Sequence, residues 1–319
     1  MIVFLTNPHH RYTHRSLDGV GGLSARTLGY EEALGRSHLP RATYVFTDMD
    51  RLGYWELELA ARLYRTLARA GCRVLNDPAL LPGRLTLLRR LYARGLNSFS
   101  AWALDEAPAD LPFPVFLRTD SAHRGVLGDL ISDRAALDAA VTHWLGFGIP
   151  SREIIIVEYR AKPVREGLFH KRAMFRIGER MVPSLGVFES RWCAKHGEMG
   201  IAGEALYEAE QLALERMDDA AEVRRAFEIA GIEYGRADYA VVDGRVELYE
   251  INTNPSLPSG SDHPYAARRA AGQMARSQLL DALRTIDDTP EGGTVAPDDP
   301  VLVEQRRQDR WVWSTGWRP

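Results

Sequence analysis

Only two cysteines occur in 319 residues, Cys72 and Cys193, far apart in the chain. That excludes a disulfide framework and argues against a structural zinc site; a reducing cytoplasm fits such sparse usage. Long apolar runs are also missing. Met1-Ile2-Val3-Phe4-Leu5 stops at Asn7-Pro8, too short for a signal peptide, and no run of roughly 18 apolar residues follows that could span a membrane. Neither sign of charge is in excess: 40 Lys and Arg stand against 43 Asp and Glu, a formal charge of −3. A general nucleic-acid or anionic-membrane binder would show a basic surplus, so neither partner is expected, while a local basic pocket is still allowed. What is present is ordinary for a soluble globular protein, 45% apolar and 26% charged. The length suffices for one large or two to three medium domains that bury most of their apolar surface without staples.

Residues 2–6 read as a short buried strand, followed by a polar segment with His9, His10, Arg11, His14 and Arg15. A strand at 42–47, an amphipathic helix at 54–70 closed by Gly71 and a strand at 72–75 give the rhythm of a small parallel α/β unit. A helix at 79–94 and an extended piece at 99–104 would complete that unit over about residues 1–110. The proline-rich run 107–114 marks a boundary. Beyond it come a strand at 114–118, a loop with His123, Arg124, Gly125 and Gly128, a helix at 133–145 and a strongly β-like strand at 153–159. Residues 168–183 alternate as two strands turning at Gly178-Glu179, residues 204–230 are helical by period, and 236–243 with 245–252 form a hairpin about Asp243-Gly244. A helix over 264–285 precedes a tail from 287 to 319. Trp311, Trp313 and Trp317 imply that this tail docks, for example on a neighbouring subunit in a homodimer.

Chemistry concentrates in the hairpin. Glu250 and Asn252 lie two apart and share a face of their strand; Arg236 and Asp238 share one for the same reason. A turn at Asp243-Gly244 sets Asp238 roughly opposite Glu250. Two carboxylates crowded on an apolar strand pair are costly unless a cation sits between them. Hard oxygen ligands favour Mg²⁺ or Mn²⁺ completed by phosphate oxygens, and Arg236 beside them suits a bridging phosphate. Any one of these residues could be an incidental charge on an exposed hairpin; the four together point to a site.

The stretch Arg236-Ala237-Asp238, a gap, then Glu250-Ile251-Asn252-Thr253-Asn254-Pro255 resembles the metal-binding hairpin of the ATP-grasp superfamily, whose recurring form is Arg-x-Asp followed by Glu-x-Asn-x-x-Pro. D-alanine–D-alanine ligases and ribosomal-S6-modification-type amino-acid ligases carry the same pattern, and residues 75–285 can be laid on that fold in order. The resemblance implies an α/β protein (α+β in the ATP-grasp portion): a small N-terminal parallel α/β domain at 1–110, then two ATP-grasp subdomains at 111–165 and 166–286. It implies ATP with Mg²⁺ or Mn²⁺, the metal held by Asp238, Glu250 and Asn252, with Arg236 catalytic.

By the same resemblance Arg118 stands where a lysine usually touches the α- and β-phosphates, offering a planar fork in place of a point charge. The loop with His123 and Arg124 would cover the phosphates. Strand 153–159 would be the adenine hinge, with Glu158 at the recurrent acidic position and Glu166 near the ribose. Of Lys171 and Arg172 only one can face the nucleotide, and Lys171 is preferred. Arg84 matches a second phosphate-facing position, or is a solvated helix charge. Arg11 and Arg15 are the candidates for an anionic substrate, and Arg191, Trp192, Lys195 and His196 for ligand contact from the 189–203 segment.

The implied reaction is ligation: a substrate carboxylate is activated as an acyl phosphate and joined to an amine, releasing ADP and phosphate. Small-molecule carboxylates and amines are then the partners, with neither nucleic acid nor membrane. Two alternatives keep the fold: a kinase acting on a small-molecule hydroxyl, and an ATP-binding or scaffolding protein with little turnover, which Arg118 in the lysine position would favour.

Overall fold

All five residues of the strand Ile2–Thr6 are buried, so both of its faces are covered. It pairs in parallel with Ala25–Gly29 on one side and Thr43–Phe46 on the other, and Val74–Leu75 adds a fourth parallel strand. The computed structural model describes residues 1–121, 125–258, 262–289 and 292–314. One face of this sheet packs Val3, Leu5 and Phe46 against Leu59, Leu63 and Leu67 of the helix Tyr54–Arg69. The other face brings Ile2, Phe4 and Val45 onto Leu279, Leu283 and Ile286 of the long helix Ala266–Ile286, together with Phe175 and Tyr234 from another sheet. Each such buried side chain contributes about 1.5–3 kcal/mol, so a shared core joins the first sheet to the C-terminal part of the chain.

The parallel sheet has its last strand at Val74–Leu75. Ala101–Ala103 pairs antiparallel with Ile154–Glu158 and so belongs to a second sheet, completed by Val115–Thr119 and Val126–Ile131. The helix Arg84–Ala93 likewise leaves the first unit: Leu87 and Leu91 enter the core under a third sheet, beside Val223, Phe227 and Leu248. That third sheet is antiparallel, in the order Arg180–Glu189, Phe169–Ile177, Tyr234–Val242, Arg245–Asn252. The helical stretch at 204–230 is two helices, Glu204–Arg216 and Ala220–Ala230, separated where Met217 takes a left-handed φ of 52°. The described part of the tail returns to its own N-terminal unit. Thr294–Val295 pairs with Leu39–Pro40, and the helix Pro300–Ser314 buries Leu302 in the first core. The side chains of Trp311 and Trp313, and Trp317 entirely, lie outside the described residues. No described helix is long and apolar enough to cross a membrane.

Candidate functional site

Asp243 and Gly244 both have positive φ, 52° and 78°, the two-residue turn whose twist suits a hairpin. From the turn the pairs run Val242 with Arg245, Val241 with Val246, Ala240 with Glu247 and Tyr239 with Leu248. Continued without a break, that register would set Asp238 against Tyr249 and turn Glu250 to the opposite face. The register shifts instead, pairing Asp238 with Glu250, Ala237 with Ile251 and Arg236 with Asn252, and leaving Tyr249 as the extra residue of a β-bulge. The bulge puts both acids, the amide and Arg236 on one face. Simple alternation reaches the right juxtaposition without revealing the device that creates it.

Each acid is held between two cations. Asp238, 3% exposed, takes Lys171 Nζ at 2.9 Å and Arg236 Nε at 2.9 Å. Glu250 takes Arg118 at 2.9 Å and Arg84 at 3.3 Å. Four cations against two carboxylates leave these six side chains with a formal surplus of two positive charges, which suits a polyphosphate. Burial, and then the charge of Arg84, lower the Arg118 pKa to about 10 against the opposing pull of Glu250, so it is still charged at neutral pH. The Nε atoms of Arg118 and Arg84 are buried with no hydrogen-bond partner among the described residues.

Asn252 Oδ1 accepts the backbone N–H of Asn254 at 2.8 Å, and Asn254 Oδ1 is buried with no partner among the described residues. No three His, Cys, Asp or Glu side chains among the described residues cluster as a self-sufficient metal cage. Two carboxylates and an amide therefore fit a hard divalent cation only when a ligand supplies further oxygens, which is how Mg²⁺ is held beside phosphates.

Two cavities meet at this hairpin. The first, about 480 Å³, lies between the second and third sheets and is lined by Phe116, Arg118, Val157, Lys171, Tyr249 and Glu250 among others. The second, about 820 Å³, opens toward the N-terminal unit, where Asn7, His10, Arg51, Arg84, Glu250 and Asn252 line it. Glu250 belongs to both walls. The chain segment after the strand Ile154–Glu158 borders the first cavity from Glu158 to Lys162. Burial raises the Glu158 pKa against a backbone hydrogen bond from Ser100. Trp192 closes this cavity, its ring 4.9 Å from Phe116 and 5.5 Å from Tyr159. Its loop is held by Glu189, whose Oε1 accepts the N–H groups of Lys195, His196 and Gly197 at 2.5–2.7 Å. Burial alone would push the Glu189 pKa up, but these three donors and Lys171 hold it below the usual carboxylate range.

Arg118, Glu158, Lys171, Asp238 and Glu250 thus come together, and Arg236 and Asn252 stand beside them. Arg84 joins them as a buried residue, not a solvated one. Arg172 points to the other face, onto Asp219 at 2.7 Å, as alternation requires. Glu166 does not join: it is exposed and lines neither cavity, because the chain has already left the cleft at that point. His123 and Arg124 lie outside the described residues. Arg11 turns away to Glu32 at 3.0 Å and Arg15 is exposed, so His9 and His10, not the two arginines, face the second cavity. His14 is structural, stacked on Phe4 with ring centroids 4.1 Å apart. Sequence reasoning missed Asp48, whose contacts come from distant segments.

Among solved structures the chain is similar to D-alanine–D-alanine ligase from Bacillus anthracis complexed with ATP, at 14% identity over 97% of this chain and 99% of that one, with a TM-score of 0.52. It is similar to an ATP-grasp RimK-domain protein from Sphaerobacter thermophilus, at 17% identity over 90% and 100%, TM-score 0.52. The ATP-grasp ligase PsnB complexed with minimal precursor matches at 14% identity over 89% and 99%, also with a TM-score of 0.52. The chain has the ATP-grasp fold. No protein-family model and no curated protein matches its sequence.

Proposed function

We propose that this protein is an ATP-dependent ligase that activates a substrate carboxylate as an acyl phosphate and joins it to an amine. The observation that carries the reading is Glu250 on the wall shared by two cavities, one bordered by a hinge and basic residues, the other by the N-terminal unit. ATP would occupy the first, its base against the 158–162 segment and its phosphates toward Arg118, Lys171 and Arg236. Asp238, Glu250 and Asn252 would hold Mg²⁺ or Mn²⁺, which when bound neutralises phosphate charge as a Lewis acid. A carboxylate in the second cavity attacks the γ-phosphorus in line, and the bond to the bridging oxygen breaks to release ADP. The amine then displaces phosphate. No protein nucleophile is needed, because the work is positioning and fixed positive charge.

The test is ADP release from MgATP against a panel of amino acids and other carboxylates with amines, with products identified by phosphorus NMR and mass spectrometry. Free phosphate with an amide supports the reading. A phosphorylated hydroxyl product would replace it with a kinase, and tight MgATP binding without turnover across the panel would replace it with a nucleotide-binding role.

A further inference from the structure

Asp48 follows the strand Thr43–Phe46 at the carboxyl end of the parallel sheet, where open α/β sheets bind ligands. It is buried, with a left-handed φ of 57°. Its Oδ2 accepts from His10 Nδ1 at 2.7 Å, from the Asn7 N–H at 3.3 Å and from Thr6 Oγ1 at 3.5 Å, while Arg51 Nε stands 3.1 Å from Oδ1. Its own N–H donates to Thr253 Oγ1 at 3.2 Å, in the residue next to Asn252. Strain of this kind persists only where the surroundings over-determine it, as these contacts do.

A carboxylate offers His10 only lone pairs, so Nδ1 carries N–H toward Asp48, and in the neutral ring the lone pair is on Nε2. No hydrogen bond occupies Nε2 among the described residues, and His10 lines the second cavity. The charged and titratable groups around it are Asp48, Arg51, the adjoining His9, Arg11 and Tyr12, and on the other walls of the cavity Asp50, Tyr54, Arg84, Asp120, Arg152, Glu153 and Glu250. Arg11 is occupied by Glu32.

We propose that His10, oriented by Asp48, is the proton acceptor for a primary amine bound in the second cavity, a role that rests on the ligase reading above. A primary amine reaches a neutral solution as R–NH₃⁺, with no lone pair to donate. His10 Nε2 takes one proton. The freed pair forms the N–C bond to the acyl carbon, and the C–O bond to phosphate breaks with its electrons leaving on phosphate. The second proton departs with the leaving group as HPO₄²⁻, and His10 returns its proton to water. Removing a positioned base of this kind costs about 10²–10⁴-fold in rate.

Two measurements on the full chain test this. In histidine ¹⁵N spectra, with His10→Asn to assign the signal, the neutral ring is expected to carry its proton on Nδ1, toward Asp48. The opposite tautomer overturns the proposal whether or not a substrate is known. In turnover with the amine panel, His10→Asn is expected to lose at least about 10²-fold in amide formation. It should still bind MgATP as the wild type does and still make hydroxamate from hydroxylamine, which is already neutral at pH 7. Amide formation at the wild-type rate overturns the proposal. Failure of the wild type to bind MgATP at all would sink the ligase reading separately, and the two failures cannot be confused.

Discussion

Asp238 and Glu250 face each other across the hairpin because Tyr249 is an extra residue in one strand. Both acids are then trapped among cations: Lys171 and Arg236 at one, Arg118 and Arg84 at the other. Without a nucleotide, the two acids offset only half of that positive charge.

Removing one acid should therefore destabilise the free protein before it affects any chemistry. Asp238→Asn leaves the buried ends of Lys171 and Arg236 without their shared partner, at an expected cost of about 3 kcal/mol. Urea unfolding of the ligand-free variant measures it, and saturating tripolyphosphate should recover part of the loss by accepting the same cations. An unchanged urea midpoint would mean that the cluster carries no such tension.

Arg118→Met removes one charged contact to Glu250 and, under the proposed function, one fork to the phosphates. A charge-assisted hydrogen bond is worth about 1.5–3 kcal/mol, so the MgATP dissociation constant should rise roughly 10–100-fold by calorimetry. Arg118→Lys should recover most of the binding, since a point charge serves a phosphate too. If Arg118→Met binds normally, that residue is a structural partner of Glu250 and nothing more.

Trp192 spans Phe116 and Tyr159 over the first cavity. One aromatic contact contributes about 0.5–1.5 kcal/mol beyond its buried area, so Trp192→Ala should weaken ATP about 2- to 12-fold. The difference in tryptophan emission on adding nucleotide, wild type against variant, reads whether this ring covers the ligand.

The core that joins the first sheet to the third contains a titratable group kept neutral. Burial lowers the His14 pKa from 6.5 to about 3, while Nε2 bonds the Tyr234 hydroxyl at 2.7 Å. The unfolded chain binds that proton below about pH 6.5 and the folded one does not, so stability is full above that value and falls as pH drops toward 3. Between pH 7 and pH 5 the loss from this residue is about 2 kcal/mol. Urea midpoints over that range should slope downward in the wild type and less steeply in His14→Gln, whatever the absolute stability of the variant.

How much of this was legible in the chain follows from how local each feature is. The hairpin could be read because its turn, its paired strands and four chemical side chains all lie within residues 234–255. Alternation allowed only one of Lys171 and Arg172 to face the cleft, without deciding which. The bulge could not be read, since nothing in Leu248-Tyr249-Glu250 announces a register shift. Ala101–Ala103 is too short to declare its sheet, and its partner strand lies more than fifty residues on. The Asp48 cluster joins residues near 7, 48 and 253, a closeness that only the packing of the first unit on the third sheet creates.

The central claim is that Asp238, Glu250 and Asn252 bind a divalent cation together with the phosphates of ATP, and calorimetry of ATP with and without Mg²⁺ tests it most directly. The wild type should bind ATP far more tightly with the metal than in EDTA, and Glu250→Gln should lose most of that difference. Equal affinity in both conditions, or a variant whose metal dependence matches the wild type, would contradict the account.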